Sequence, residues 1–329
     1  MSEQPVRWGV LATGGMAAAF TEDLLLLPDA RVAAAGSRSA ESAQAFAARF
    51  GIPRAHGSWP ELAADPEVDV VYIATPHAQH VAAATACLEA GKPVLVEKPF
   101  ALSGRQARQL TELAEKQGLF VMEAMWTCLN PAILRIAELV AEGAIGEVRS
   151  VHADFGARVD APQDHRLWDP AAGGGALLDL GTYPVSFAHL ILGAPKTVTA
   201  HARLSPRGVD EQTGILLGYR DGAMAVLTCS LLAQDEHRAT VYGTTGRIVI
   251  PGDFYNPVSF VLHRDGHEPQ AVNAAPQEGH GYGHQAREVM RCLRAGLTTS
   301  PLLPPAHTLA VMDTLDQVRE QTGVRYPGE

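Results

Sequence analysis

Apolar residues in the first 125 positions fall into short unbroken runs separated by longer stretches with helical spacing. Residues 7–12, 31–36, 69–74, 94–97 and 120–123 read as strands, because each run is apolar nearly throughout rather than alternating. Helical patterns lie between them over 16–27, 40–50, 77–90 and 103–117, the third closing at Gly91. Strands of this kind alternating with helices indicate a parallel sheet covered on both faces. The first half is therefore expected to be α/β and doubly wound.

The pattern changes after Trp126. A helix over 131–142 leads to a strand over 147–155, then to an irregular stretch reaching Pro170. Gly173-Gly174-Gly175 opens an apolar helix that runs to about Leu192. Residues 197–204, 213–219, 223–230 and 238–242 read as antiparallel strands, with Asp221-Gly222 and Thr245-Gly246 as turn signals. Helices over 285–295 and 308–322 close the chain. The expected organisation is a nucleotide-binding domain over 1–125 and an α+β domain with a largely antiparallel sheet over 126–329.

Composition narrows the function classes. The 329 residues carry 36 acidic and 26 basic side chains, a formal charge of −10, with no basic cluster of the kind that tracks nucleic acid. Cys87, Cys128, Cys229 and Cys292 are widely spaced, which argues against a zinc site and a disulfide framework. His77 and His80 are three apart, but no further ligand follows them, so no metal is expected. The polar start of the chain has no signal-peptide core, and no apolar run approaches the ~20 residues that span a bilayer. The expectation is a cytoplasmic protein with a small-molecule substrate and neither nucleic acid nor membrane as partner.

A turn between the first strand and helix reads Ala12-Thr13-Gly14-Gly15-Met16-Ala17. Against the dinucleotide fingerprint GxGxxG/A, Gly14 admits a pyrophosphate to the backbone and Ala17 permits close helix–strand packing, while Ala12 replaces the first glycine. The second strand ends in Gly36-Ser37-Arg38, without the carboxylate that bonds the ribose of NAD. A hydroxyl beside a guanidinium suits a 2′-phosphate, so NADP is expected in preference to NAD. Further along, Val94-Leu95-Val96 ends in Glu97-Lys98-Pro99, which puts an amine outside the carboxyl end of a parallel strand. Proline holds the residue before it extended. Asp179 and Tyr183 are four apart in the glycine-opened helix and are expected on one face. An aspartate among apolar neighbours needs a partner, in a salt bridge, a cap or a site.

Together these segments resemble the glucose–fructose oxidoreductase/inositol dehydrogenase (Gfo/Idh/MocA) family. The match is carried by the Gly9–Ala17 turn, Ala74-Thr75-Pro76-His77 through His80, and Ala90-Gly91-Lys92-Pro93-Val94-Leu95-Val96-Glu97-Lys98-Pro99. It continues through Arg166-Leu167-Trp168-Asp169-Pro170, Gly173-Gly174-Gly175 and Asp179 to Tyr183. Glu123-Ala124-Met125-Trp126-Thr127, with Tyr183 where many members have histidine, looks most like the dimeric dihydrodiol dehydrogenase and glucose–fructose oxidoreductase branches. Cys128 departs from a residue that is often basic in that branch.

The resemblance implies a Rossmann domain followed by a substrate-binding domain whose open sheet forms a homodimer. It implies that Ala12, Thr13, Gly14, Gly15, Met16, Ser37, Arg38, Thr75, Pro76, His77, His80, Glu97 and Lys98 serve the cofactor. It also implies that Lys98, Asp179 and Tyr183 surround the reacting substrate carbon. Arg166, Trp126 and Trp168 are candidates for the substrate, the tryptophans as apolar walls or else as packing between domains. The expected activity is hydride transfer between NADP and a secondary alcohol or ketone of a sugar or cyclic polyol. A trans-dihydrodiol is the alternative substrate, and a non-catalytic NADP-binding regulator the alternative class. Either Tyr183 or Lys98 could move the proton. Tyrosine is preferred, with Lys98 bonding the same oxygen.

Overall fold

In the computed structural model, residues 4–162, 164–274 and 278–329 are described. The first unit opens with strand β1 (Val6–Leu11), helix α1 (Gly15–Leu25), β2 (Ala30–Gly36), α2 (Ala40–Phe50), β3 (Arg54–His56) and α3 (Trp59–Ala63). It continues with β4 (Val70–Ile73), α4 (His80–Glu89), β5 (Val94–Glu97), α5 (Gly104–Gln117) and β6 (Val121–Ala124). The sheet order is β3-β2-β1-β4-β5-β6 and every pairing is parallel. Val70–Ile73 and Val94–Glu97 are buried along their whole length, as the apolar runs over 70–73 and 94–96 require.

Register aligns the strand ends. Leu11 lies opposite Gly36 on one side and Ile73 on the other, and Ile73 lies opposite Val96. Ala12, Ser37, Ala74 and Lys98 consequently leave the sheet along one edge. The strand order reverses between β1 and β4, the point where open α/β sheets bind ligands.

The second unit contains α6 (Pro131–Ala141), β7 (Val148–Gly156) and the helical run that ends in α7 (Thr182–Leu192). There follow β8 (Thr197–Leu204), β9 (Asp210–Gly218), β10 (Met224–Ser230), β11 (Ala239–Gly243), β12 (Gly246–Ile250), β13 (Ser259–Arg264) and β14 (Gln270–Asn273). Helix α8 (Gly283–Arg294) precedes α9 (Pro305–Thr322). The sheet order is β14-β13-β12-β11-β7-β10-β9-β8, antiparallel except for the parallel pair β7 and β10. α7 packs on β7 and β10. The opposite face leaves Leu216, Met224 and Val226 exposed, with Val226 opposite both Leu216 and His152.

Three features differ from the expectation. Spacing alone does not reveal the short β3 or the three strands β12 to β14. A single cut after residue 125 does not describe the packing either, since the segment carrying α8 joins the first unit. There the Asp23 carboxylate accepts from the N–H groups of His280 and Tyr282 at 2.8 and 2.7 Å, and Arg294 pairs with Asp29 at 2.7 Å. Periodicity finds a helix, but not the surface its apolar stripe meets. Finally, Pro170–Leu192 is long and apolar enough to span a bilayer, yet 78% of its apolar window is buried inside the protein. It is a core helix.

Candidate active site

Helix α1 begins without a side-chain cap. Its N-cap is Gly14, at φ −80° and ψ −175°. By contrast, Ser39, Ser58 and Asn130 cap α2, α3 and α6 through their side chains. The first N–H groups of a helix have no partner within it. At Gly14 and Gly15 an added Cβ would meet nothing within 4 Å, and neither glycine has a positive φ. Protein packing therefore does not demand these glycines. They leave open space in front of the first turn, which fits phosphates bound by backbone N–H groups and the helix dipole. Gly14, Gly15 and Met16 are exposed, Thr13 is half-buried, and Ala17 is fully buried against the sheet.

Ala12 has φ +121° and donates its N–H to the Gly36 carbonyl at 2.9 Å. That is a conformation glycine adopts without strain and alanine does not. Ser37 accepts the Ser39 N–H at 3.3 Å, and Arg38 is exposed with no ion pair among the described residues. On the neighbouring strand end, Thr75 Oγ1 is buried and has no hydrogen-bond partner among the described residues, while Pro76 is exposed.

Lys98 is half-buried, and buried polar groups hold the segment that carries it. Glu97 Oε2 accepts the Lys98 N–H at 3.2 Å, His80 Nδ1 lies 2.8 Å from the Pro99 carbonyl, and Glu123 Oε1 accepts the Phe100 N–H at 3.1 Å. The Lys98–Pro99 peptide bond is cis. Tyr72 donates to Glu97 Oε1 at 2.6 Å and stacks on Phe20 with ring centroids 3.9 Å apart. His80 is fully buried, with Nε2 2.8 Å from the Thr75 carbonyl. Its ring thus ties the Thr75 and Pro99 main chains together. His77 is also buried, edge-on to His80 at 5.6 Å. Among the described residues, no group of three His, Cys, Asp or Glu could hold a metal ion.

In the second unit the helix carrying Asp179 is not uniform. It makes a π-helical turn over Leu177–Gly181 before becoming α-helical at Thr182, so the spacing of an ordinary helix does not describe Asp179 relative to Tyr183. Asp179 pairs with Arg166, Nη2 to Oδ1 at 3.3 Å, which supplies the partner its apolar setting requires. Tyr183 is buried against Phe155, with centroids 5.2 Å apart, and lies 6.0 Å from Tyr255. Phe155 and Tyr255 stack at 4.6 Å. Spacing along the chain gave no sign of this aromatic group, because a strand and a loop remote in sequence supply it.

Both candidate tryptophans are buried. Trp126 packs on Tyr282 at 4.5 Å in the first unit, and Trp168 donates Nε1–H to the Ala161 carbonyl at 3.3 Å in the second. Cys128 lies 3.3 Å from Ser186 Oγ, which is 2.9 Å from His307 Nε2. Burial lowers His307 to about 4, so that ring is neutral at physiological pH.

Known proteins resemble this chain over nearly its whole length. The description "oxidoreductase family, NAD-binding Rossmann fold" matches residues 6–125, and "GFO/IDH/MocA C-terminal domain" matches residues 133–249. The trans-1,2-dihydrobenzene-1,2-diol dehydrogenase of Bos taurus is 36% identical over 332 residues, covering 98% of each chain. A 3-ketoreductase from Actinomadura kijaniata, solved with NADP and TDP-benzene, is 29% identical with a TM-score of 0.87, covering 97% of this chain and 98% of that one. The aldose–aldose oxidoreductase of Caulobacter crescentus shares the fold at a TM-score of 0.88 and 24% identity, over 97% of this chain and 98% of the other.

Proposed function

The chain belongs to the GFO/IDH/MocA family of NAD(P)-dependent oxidoreductases, and from that premise we propose that it uses NADP to interconvert a secondary alcohol and a ketone on a sugar or cyclic polyol. The observation that carries this reading is the pairing of an uncapped, open α1 start with a β2 end that offers Ser37 and Arg38 and no carboxylate. The first-turn N–H groups of α1 would hold the pyrophosphate, and Ser37 and Arg38 the 2′-phosphate, through charge-assisted bonds. Nicotinamide supplies the hydride chemistry when bound.

The remaining work falls to side chains of this protein. Lys98, on a segment fixed by Glu97, His80 and Glu123, hydrogen-bonds the substrate oxygen. Tyr183 moves the proton of that oxygen, and Asp179, itself held by Arg166, orients the acid/base group. Positioning of this kind by residues locked from behind is what proton transfer in a site requires.

A trans-dihydrodiol is the second substrate reading. The Phe155–Tyr255 stack beside Tyr183 and the 36%-identical dihydrodiol dehydrogenase favour it. The exposed Leu216, Met224 and Val226 on the open sheet face support a homodimer formed through that face. Val226→Asp should halve the mass in light scattering if so.

NADPH fluorescence followed across a panel of sugars, polyols and dihydrodiols tests the activity. Turnover on one of these classes is expected, with Lys98→Met reducing kcat by about 10²–10⁴-fold and leaving NADPH binding intact. Tight NADPH binding without turnover on any of them would instead support a regulator.

A further inference from the structure

We propose that Asp210 is a positioning residue for the reaction: its buried carboxylate seats Gly175 and Leu177 and thereby fixes where Asp179 stands in the helix. The inference rests on the reading above that Asp179 and Tyr183 act on the substrate. Asp210 opens β9 and is completely buried. Oδ2 accepts the Leu177 N–H at 2.8 Å and the Thr213 hydroxyl at 2.7 Å. Oδ1 has no partner among the described residues and lies so close to Gly175 that an added Cβ would be 2.3 Å away. Gly175 in turn accepts the Asp179 N–H on its carbonyl at 3.3 Å, and its own N–H bonds the Leu167 carbonyl at 2.9 Å. A Cβ on Gly174 would lie 2.6 and 2.5 Å from the Arg166 and Leu167 carbonyl oxygens. The glycine run is therefore a junction. Asp210 presses on it from one side, the main chain of Arg166 and Leu167 from another, and the Asp179–Arg166 pair is assembled on top.

An ionised carboxylate suits this place, because it accepts stronger bonds and faces the positive end of the helix. Burial nonetheless raises the Asp210 carboxyl to about 6, with the Thr213 and Leu177 bonds holding it back. The titratable groups facing it are the Cys229 thiol on β10 and the Tyr326 hydroxyl, both raised by burial and then by Asp210 itself, with the Arg319–Glu329 pair behind Tyr326. Tyr326 donates to the Gly174 carbonyl at 2.8 Å and so braces the same junction. With the thiol and phenol neutral near pH 6, the carboxyl is the group there that changes charge. Protonation weakens its hold on Leu177, and turnover should fall below pH 6.

The test compares the full-length protein with Asp210→Asn, Thr213→Val and Tyr183→Phe, using steady-state NADPH oxidation from pH 5 to 9 on the substrate found in the panel. NADPH affinity is measured in parallel. Asp210→Asn should keep NADPH affinity within twofold, lose at least tenfold in kcat with little change in KM, and lose an acid limb centred near pH 6. Thr213→Val removes a bond that favours the carboxylate and should move that limb upward by at least half a pH unit, even if the asparagine variant folds poorly. An unchanged kcat and acid limb in Asp210→Asn, or an unmoved limb in Thr213→Val, overturns the proposal. If Tyr183→Phe turns over normally, the parent reading fails and this inference falls with it. An inactive Tyr183→Phe beside an unaffected Asp210→Asn overturns the inference alone.

Discussion

Helix α1 and the helix carrying Asp179 both open on glycines, and the glycines are there for opposite reasons. At α1, Gly14 and Gly15 face open space and no side chain caps the helix. At the helix carrying Asp179, Gly174 and Gly175 are pressed against carbonyl oxygens and the Asp210 carboxylate, and Gly175 has φ +112°. The first start leaves room and N–H groups without a side-chain cap in front of the helix. The second is closed by the protein itself, with a buried acid in the place that the proposed cofactor phosphates would take at α1. A glycine-rich turn before an apolar helix is thus a signal with two meanings, and only the surroundings separate them.

Alanine substitutions should break the comparison most sharply. Gly175→Ala places a Cβ on a carboxylate oxygen and in a disfavoured φ, for a combined cost of about 3–5 kcal/mol. Chemical denaturation should show that loss, and activity should go with it. Gly14→Ala meets no protein atom and should change stability by less than about 0.5 kcal/mol. NADPH affinity should nonetheless fall by about tenfold or more, measured by fluorescence titration, since a methyl group now occupies the phosphate approach. Equal destabilisation by the two variants would show that the distinction is false.

Second in size is the pH dependence of the closed start. The Asp210 carboxyl titrates near 6 in the folded protein against 3.8 ordinarily, because burial raises it. Between those values the native state holds more protons than the unfolded one, so stability falls as pH rises from about 4 through 6. At about 1.4 kcal/mol per pH unit, the wild type should lose about 3 kcal/mol relative to Asp210→Asn across that window. Urea midpoints of both proteins from pH 4 to 7.5 check this. The charged form that serves the site is the form that costs stability, which is a common condition for functional groups.

What could be read in advance follows the same division. The parallel sheet was legible because strands buried on both faces carry unbroken apolar runs, as residues 70–73 and 94–96 do. Lys98 and the Ala12–Ala17 turn were legible because both lie within a few residues of a strand end. Asp210 was not, since the Leu177 N–H that it accepts and the Gly175 that it presses on are remote from it in the chain. Phe155 and Tyr255 escaped for the same reason, being joined only by the fold. The π-turn at Leu177–Gly181 was invisible to a reading that assumes one helical period, and α8 was found as a helix without its packing partners.

The open edge makes a smaller prediction at its second contact. Arg38 is exposed, and its proposed partner is a 2′-phosphate. Arg38→Ala should reduce the preference for NADP over NAD by about 10- to 100-fold, the range for losing charge-assisted bonds of about 1.5–3 kcal/mol. Kd values for both cofactors provide the ratio, and an unchanged ratio would falsify the cofactor assignment.

The smallest effect is expected at Ala12, where the open start does make a conformational demand and the sequence does not meet it. At φ +121° an alanine is strained by about 1–3 kcal/mol, and glycine relieves that. Glycine also gains freedom in the unfolded chain, which takes back about 0.4–1 kcal/mol. The net for Ala12→Gly is a stabilisation of about 1 kcal/mol, visible as a higher urea midpoint with an unchanged slope. NADPH affinity should stay within twofold, because the Ala12 N–H remains on the Gly36 carbonyl whichever residue supplies it. A destabilised Ala12→Gly would mean that the turn is held by the methyl group rather than in spite of it. Within one loop, then, Gly14 would answer to the ligand and position 12 to the backbone alone.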